Sequence, residues 1–151
     1  MLVYRIGKCT YIDDLKGTGA AMYGGRWHSK GIYILYTAAT PSLALLESVV
    51  HLSTVVTTGF CMISINIPED KIQELYVSEL PSGWYLNPAP NSLKFFGDSF
   101  IKDNKFLALK IPSAIMHEES NYLLNPNHPN FSQVEVVSKR TIPIDERLLR
   151  R

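Results

Sequence analysis

An excess of charge of one sign is missing from this sequence. Lysine and arginine number 15, aspartate and glutamate 14, and the net charge is +1, so nothing electrostatic favours direct contact with nucleic acid. Neither half is polarised: six basic and six acidic residues fall before position 76, nine and eight after it. Charge is also sparse overall, 19% of residues against roughly a quarter in ordinary domains. With 46% hydrophobic residues, that excludes a disordered tail or a long polar linker. Cysteine is scarce too. Cys9 and Cys61 have neither metal nor redox spacing and are too few for a disulfide framework, so each is expected to be a small buried apolar side chain. No run reaches the ~20 apolar residues of a membrane span. The opening MLVYRIGKCTYIDD carries Arg5, Lys8 and Asp13 among its apolar positions, which does not suit a signal peptide. These absences describe a soluble, cytoplasmic protein.

Familiar catalytic signatures are absent as well. There is no GxGxxG, Walker A, HExxH, GxSxG or CxxC, and no paired-carboxylate motif for glycoside chemistry. The four histidines, His28, His51, His117 and His128, show no ligand spacing, so no metal site is expected.

What is present fits one domain of 151 residues. Leu2 to Ile6 reads as a strand, and Gly17 to Gly31, with five of the nine glycines, as an irregular loop. Ile32 to Thr37 is a β-rich run. Thr40 offers an N-cap and Pro41 a first helical position, opening a helix to about Leu52. Gly59 to Ile67 reads as a strand and Leu80 to Asn91 as a long loop. Ser92 to Asp103 reads as a helix and Phe106 to Ile111 as a strand. Glu118 to Asn125 is expected to be a short helix or turn, and Gln133 to Lys139 a strand before a basic tail. Strands and helices mix without a βαβ repeat, so the predicted class is a single compact α+β domain.

Between Gly31 and Pro68 the only formally charged side chain is Glu47. On a helical wheel with Leu43 at zero, Leu46 falls near about 300°, Val50 near about 340° and Glu47 near about 40°. Glu47 therefore borders the apolar stripe. An ionised carboxylate there costs several kcal/mol unless it is paired or hydrogen-bonded. Two readings stay open: an edge residue that reaches solvent or an arginine, or a carboxylate kept partly dry to act on a substrate. Arg26 follows Gly24-Gly25, where a guanidinium can approach a phosphate closely; it reads equally as a surface loop arginine. Tyr23, Trp27, Tyr33 and Tyr36 suit either stacking on a flat ring or core packing. Ser113 follows a predicted strand, and Asn121, Asn125 and His128 punctuate an apolar segment. Asn125-Pro126 and His128-Pro129 also read as turn formers.

Several stretches in order resemble one known family. They are Tyr4-Arg5-Ile6, the run GAAMYGGRWHSKGIYILYTAATPSLALLESVVH from Gly19 to His51, Phe96-Gly97-Asp98, and PSAIMHEESNYLLNPNHPNF from Pro112 to Phe131. Together they resemble the RES-domain family, the toxins of RES–Xre toxin–antitoxin pairs. The resemblance spans 1–151, with its core at about 4–140.

The resemblance implies a fold similar to diphtheria-toxin-type ADP-ribosyltransferases and an activity that consumes NAD. NAD would be the substrate, with no separate cofactor and no metal. The nicotinamide–ribose bond would be cleaved by glycohydrolysis or phosphorolysis; transfer of ADP-ribose to a protein is the alternative, and a non-catalytic antitoxin-binding module a further one. Carried over by motif, Glu47, Arg26 and Ser113 are the catalytic candidates, and Arg5, Tyr36 and Asn121 the substrate-binding candidates. Arg5 and Arg26 would hold the pyrophosphate, Tyr36 would stack on nicotinamide, and Ser113 would bond its amide or the ribose. His28 stands where the family more often has asparagine after GRW. The implied partner is an Xre-type helix-turn-helix antitoxin that covers the pocket and supplies any DNA contact. A homo-oligomer is left open.

Overall fold

A computed structural model describes residues 1–52 and 57–149; Arg150 and Arg151 of the expected basic tail lie outside them. Seven strands form one sheet: β1 (Leu2–Lys8), β2 (Leu35–Ala38), β3 (Phe60–Asn66), β4 (Ile72–Glu74), β5 (Ala108–Pro112), β6 (Ser120–Leu124) and β7 (Glu135–Ile142). Their spatial order is β4-β5-β6-β2-β1-β3-β7, antiparallel except for β4 beside β5. Three α-helices accompany the sheet among the described residues: α1 (Thr18–Tyr23), α2 (Pro41–Val49) and α3 (Lys94–Asp103). The expected α+β class is borne out. No helix among the described residues is long and apolar enough to cross a membrane.

The sheet has two buried faces because alternate residues on its central strands pack on opposite sides. Val3, Leu35, Ile63, Ile65, Tyr122 and Leu124 fill one side. On the other, Leu109, Ile111 and Leu123 pack with Trp27, Trp84 and Phe100. Beyond these, Phe60 and Met62 pack with Val49 and Ile142. Tyr4 and Ile6 of β1 reach this second side and meet Leu43 and Ala44 of α2.

Helix α2 begins where its sequence says it should. The Thr40 hydroxyl accepts from the Leu43 N–H at 3.1 Å and donates to Glu119 at 2.8 Å, satisfying an orphan amide of the first turn. The Ala39 N–H donates to the Ser120 carbonyl, so the start of α2 is tied to the start of β6. About two helical turns later β6 meets α2 again, through Asn121 and Glu47.

Three expectations are corrected. Residues 118–125 hold β6 rather than a helix, because the segment inserts between β2 and β5 and buries both of its faces. The 17–31 loop contains the short helix α1. Cys9 and Cys61, expected as separate apolar side chains, form a disulfide. Strand register brings them together: Gly7 of β1 pairs with Cys61 of β3, and the Cys9 N–H donates to the Gly59 carbonyl.

Candidate active site

The core of the site is Glu47, held from β6 and from the turn after β5. Its Oε1 accepts from the Ser113 hydroxyl at 2.8 Å and from the Asn121 amide at 2.6 Å. Its Oε2 has no hydrogen bond among the described residues. Ala44, Glu47, Ser48 and His51 line the smaller of the two cavities described below, while Leu43, the reference of the wheel, packs beside Ala44 against Tyr4 and Ile6. Val50, at 43% exposure, follows the last helical residue and turns outward.

Ser113 is fully buried and lines neither cavity described below. Its oxygen accepts from the Ile115 and Met116 N–H groups, both at 3.1 Å, while it donates to Glu47. One donor and two acceptor sites exhaust a hydroxyl. Ser113 therefore positions the carboxylate, and the expected direct bond from Ser113 to a substrate has no support in its surroundings. Ser113→Ala strands two backbone amides and removes one carboxylate donor, a cost of about 1–3 kcal/mol. At this chain length a drop in Tm of about 2–10 °C is expected by thermal melt.

Two cavities meet at Glu47. The smaller, about 330 Å³, lies between β1 and α2 and includes Tyr4, Ile6, Ala44 and Phe60 in its walls. The larger, about 580 Å³, lies under the Gly24-Gly25-Arg26-Trp27-His28 loop, with Tyr85 and Ile115 across from it. Both fall within the range of small-molecule sites, about 300–1,000 Å³. Tyr36, Glu47, His51 and Asn121 line both. The carboxylate thus stands where the two halves of an elongated ligand would join.

Arg26 belongs to the larger cavity. Its Nη1 donates to the Trp84 and Leu86 carbonyls, each at 2.9 Å, which orients the guanidinium and leaves Nε and Nη2 without partners among the described residues. Burial draws its pKa below the usual arginine value, against the pull of Glu47 and then Tyr36. Arg26 and Glu47 therefore share one electrostatic neighbourhood without a direct ion pair.

Arg5 lines the smaller cavity, but its guanidinium is held elsewhere. β1 runs along the smaller cavity, but Arg5 alternates with Tyr4 and Ile6 and pairs across to Ile63, on the opposite side of the sheet. There its Nη1 donates to the Ile12 and Asp14 carbonyls at 3.0 and 2.9 Å, tying down the loop after β1. Burial lowers its pKa, partly offset by Asp14. The Arg5 guanidinium thus holds the loop after β1, while Arg26 lines the larger cavity.

Tyr36 is fixed by His28. The His28 Nε2 donates to the Ala20 carbonyl at 2.8 Å, so in a neutral ring Nδ1 is the acceptor and the Tyr36 hydroxyl donates to it at 2.8 Å. Burial raises the Tyr36 pKa well above its ordinary value, which keeps the phenol protonated. A methyl group on Gly25 would lie 2.9 Å from the His28 ring and 3.0 Å from the Tyr36 oxygen. The second glycine of GGRW is therefore demanded by this pair.

The loop is clamped from α3. Asp98 accepts from the Ser29 N–H at 2.8 Å and the Ser29 hydroxyl at 2.6 Å, and the Gly97 N–H donates to the Trp27 carbonyl at 3.0 Å. Phe96-Gly97-Asp98, legible in the sequence only as part of a resemblance, is the clamp. Asn125 and His128 make the turns expected of them: Asn125 accepts from the Asn127 N–H and His128 from the Asn130 N–H. The sequence reading missed His51, which lines both cavities four residues beyond Glu47 and just past the end of α2; that spacing was the available signal.

Fold and site together define an α+β domain that holds one carboxylate at the junction of two ligand-sized cavities. The RES domain family matches residues 2–145, and the chain belongs to that family. A protein of Photorhabdus laumondii named "Toxin Res" is 36% identical over 154 residues, covering 99% of this chain and 98% of that protein. The "Prs ADP-ribosylating toxin" of a Sphingobium species is 34% identical over 143 residues, covering 92% and 89%. Among solved structures, a chain of the M. tuberculosis MbcT–MbcA toxin–antitoxin complex superimposes with a TM-score of 0.77 at 15% identity, over 98% of this chain and 86% of that one. That likeness establishes the shared fold.

Proposed function

We propose that this chain is the toxin of a toxin–antitoxin pair and that it depletes NAD by cleaving the nicotinamide–ribose bond, as a glycohydrolase or a phosphorylase. The observation that carries this reading is the carboxylate of Glu47, anchored through Oε1 by Ser113 and Asn121 on a residue that lines both cavities. Departure of nicotinamide leaves positive charge on the ribose, an oxocarbenium-like transition state. A carboxylate held in place beforehand stabilises that charge more than it stabilises the ground state. Nicotinamide leaves as a neutral ring, so its departure needs no acid. Arg26 supplies positive charge for the pyrophosphate, and Tyr36 offers an aromatic face fixed through His28. NAD is then a substrate rather than a cofactor.

The names of the relatives support the toxin part of the reading, and the MbcT–MbcA complex supports an antitoxin partner. We take that partner to be a helix-turn-helix protein of Xre type in the same cytoplasm, covering the cavity mouth. A second reading, transfer of ADP-ribose to a protein side chain, draws on the name of the Sphingobium relative. Tyr85 and Ile115, exposed and lining the larger cavity, would give a protein acceptor an apolar rim to rest on.

Product analysis separates these outcomes. Purified, antitoxin-free chain is incubated with NAD alone, with phosphate, and with a cell extract as source of protein acceptors. Release of nicotinamide and free ADP-ribose in the first indicates hydrolysis, and a phosphate-dependent product indicates phosphorolysis. Release only with protein indicates transfer, and no release in any arm rejects the proposal. In the same assay, Arg26→Ala is expected to weaken NAD binding by about 2 kcal/mol, roughly 30-fold, through loss of a charged contact. Unchanged affinity by calorimetry makes Arg26 a tether for the 84–86 segment and nothing more.

A further inference from the structure

The cleavage step needs an acceptor for the ribose carbon, and nothing described so far handles the acceptor. Four residues border both cavities and so surround the reacting bond: Tyr36, Glu47, His51 and Asn121. Three of them are committed. The Tyr36 hydroxyl donates to His28, the Asn121 amide donates to Glu47, and Glu47 is held against the ribose side by Ser113 and Asn121. His51 alone of the four has an unengaged side chain among the described residues.

Its backbone continues the turn of α2, with its N–H donating to the Ser48 carbonyl. That turn places it, four residues beyond Glu47, in the walls of the same two cavities. It is also exposed, and so open to solvent water. Imidazole is the side chain that ordinarily exchanges a proton near neutral pH.

We propose that His51 is a further catalytic residue: its imidazole takes the proton from the water that attacks the ribose carbon. This rests on the reading of Glu47 as the NAD-cleaving carboxylate. The bond between ribose C1′ and the nicotinamide nitrogen breaks, with its electron pair going to nicotinamide. The water oxygen forms a new bond to the same carbon, and one water proton passes to His51 and then to solvent. A phosphate dianion brings an oxygen that already carries charge and needs no such transfer. His51 therefore serves the hydrolytic acceptor selectively.

The test compares wild type, His51→Gln and His51→Ala, following nicotinamide release without phosphate and with it. Without phosphate, His51→Gln is expected to lose about 100-fold in turnover, the usual scale of a proton-transfer group, with little change in KM for NAD. Free imidazole is expected to restore part of the activity of His51→Ala, a response that a purely structural histidine would not show. Turnover of His51→Gln within about threefold of wild type, a loss confined to KM, or equal losses with and without phosphate overturns the inference. So does a wild type that consumes NAD only with phosphate, which leaves Glu47 in its role. A wild type inactive under both conditions overturns the underlying reading as well.

Discussion

Glu47→Gln is expected to leave the protein folded and to lower NAD consumption by about 10³-fold or more, equivalent to about 4 kcal/mol of transition-state stabilisation. The substitution keeps length and shape, and a glutamine carbonyl still accepts from Ser113 and Asn121 at the places where Oε1 does now. What changes is the atom at the Oε2 position. A negatively charged oxygen becomes an amide N–H₂ whose positive end faces the developing cation on the ribose. The charge is lost and the remaining dipole points the wrong way, so the effect should fall on turnover rather than on binding. Nicotinamide release gives the rate, and a thermal melt within a few degrees of wild type shows that the site still stands. Turnover by a folded variant within about tenfold of wild type would remove Glu47 from the chemistry.

That carboxylate could be located from sequence because its constraints are local. Thr40 and Pro41 mark a helix start, and Glu47 is the one charge between Gly31 and Pro68. Its partners were not readable in the same way. Ser113 and Asn121 lie 66 and 74 residues away, and only the order β5-β6-β2 brings them beneath α2. Asn121 was also placed on the wrong element. A central strand with both faces buried has no period-two pattern, so NYLL could not be told from a helical turn. The direction of the Arg5 side chain was hidden for a related reason. Alternation fixes that Arg5 and Tyr4 point oppositely, but which side holds the site is decided by where α2 packs. The cysteine pair depended on β1–β3 register across a separation of 52 residues. Short-range signals located the carboxylate, and sheet topology decided what holds it.

Gly97→Ala is expected to be the most damaging small substitution outside the catalytic group. Gly97 sits in the first turn of α3, where alanine is ordinarily the better helix former. Here a methyl group would lie 2.1 Å from the Trp27 carbonyl oxygen and 3.0 Å from its carbon. The obstacle is backbone and cannot rotate away. Either α3 or the 24–29 loop must move, and the Gly97–Trp27 hydrogen bond goes with it. Overpacking of this kind costs about 1–3 kcal/mol, and the lost buried hydrogen bond adds about 1 kcal/mol. Tm should fall by about 10 °C. The displaced loop carries Arg26 and His28, so NAD affinity should fall even at temperatures where the variant remains folded. Asp98→Asn provides the control. It keeps Gly97 and one acceptor for Ser29, and should loosen the loop without the steric clash, giving a smaller drop in both quantities. A Gly97→Ala protein that melts with wild type and binds NAD equally well would mean that α3 does not set the position of the arginine loop.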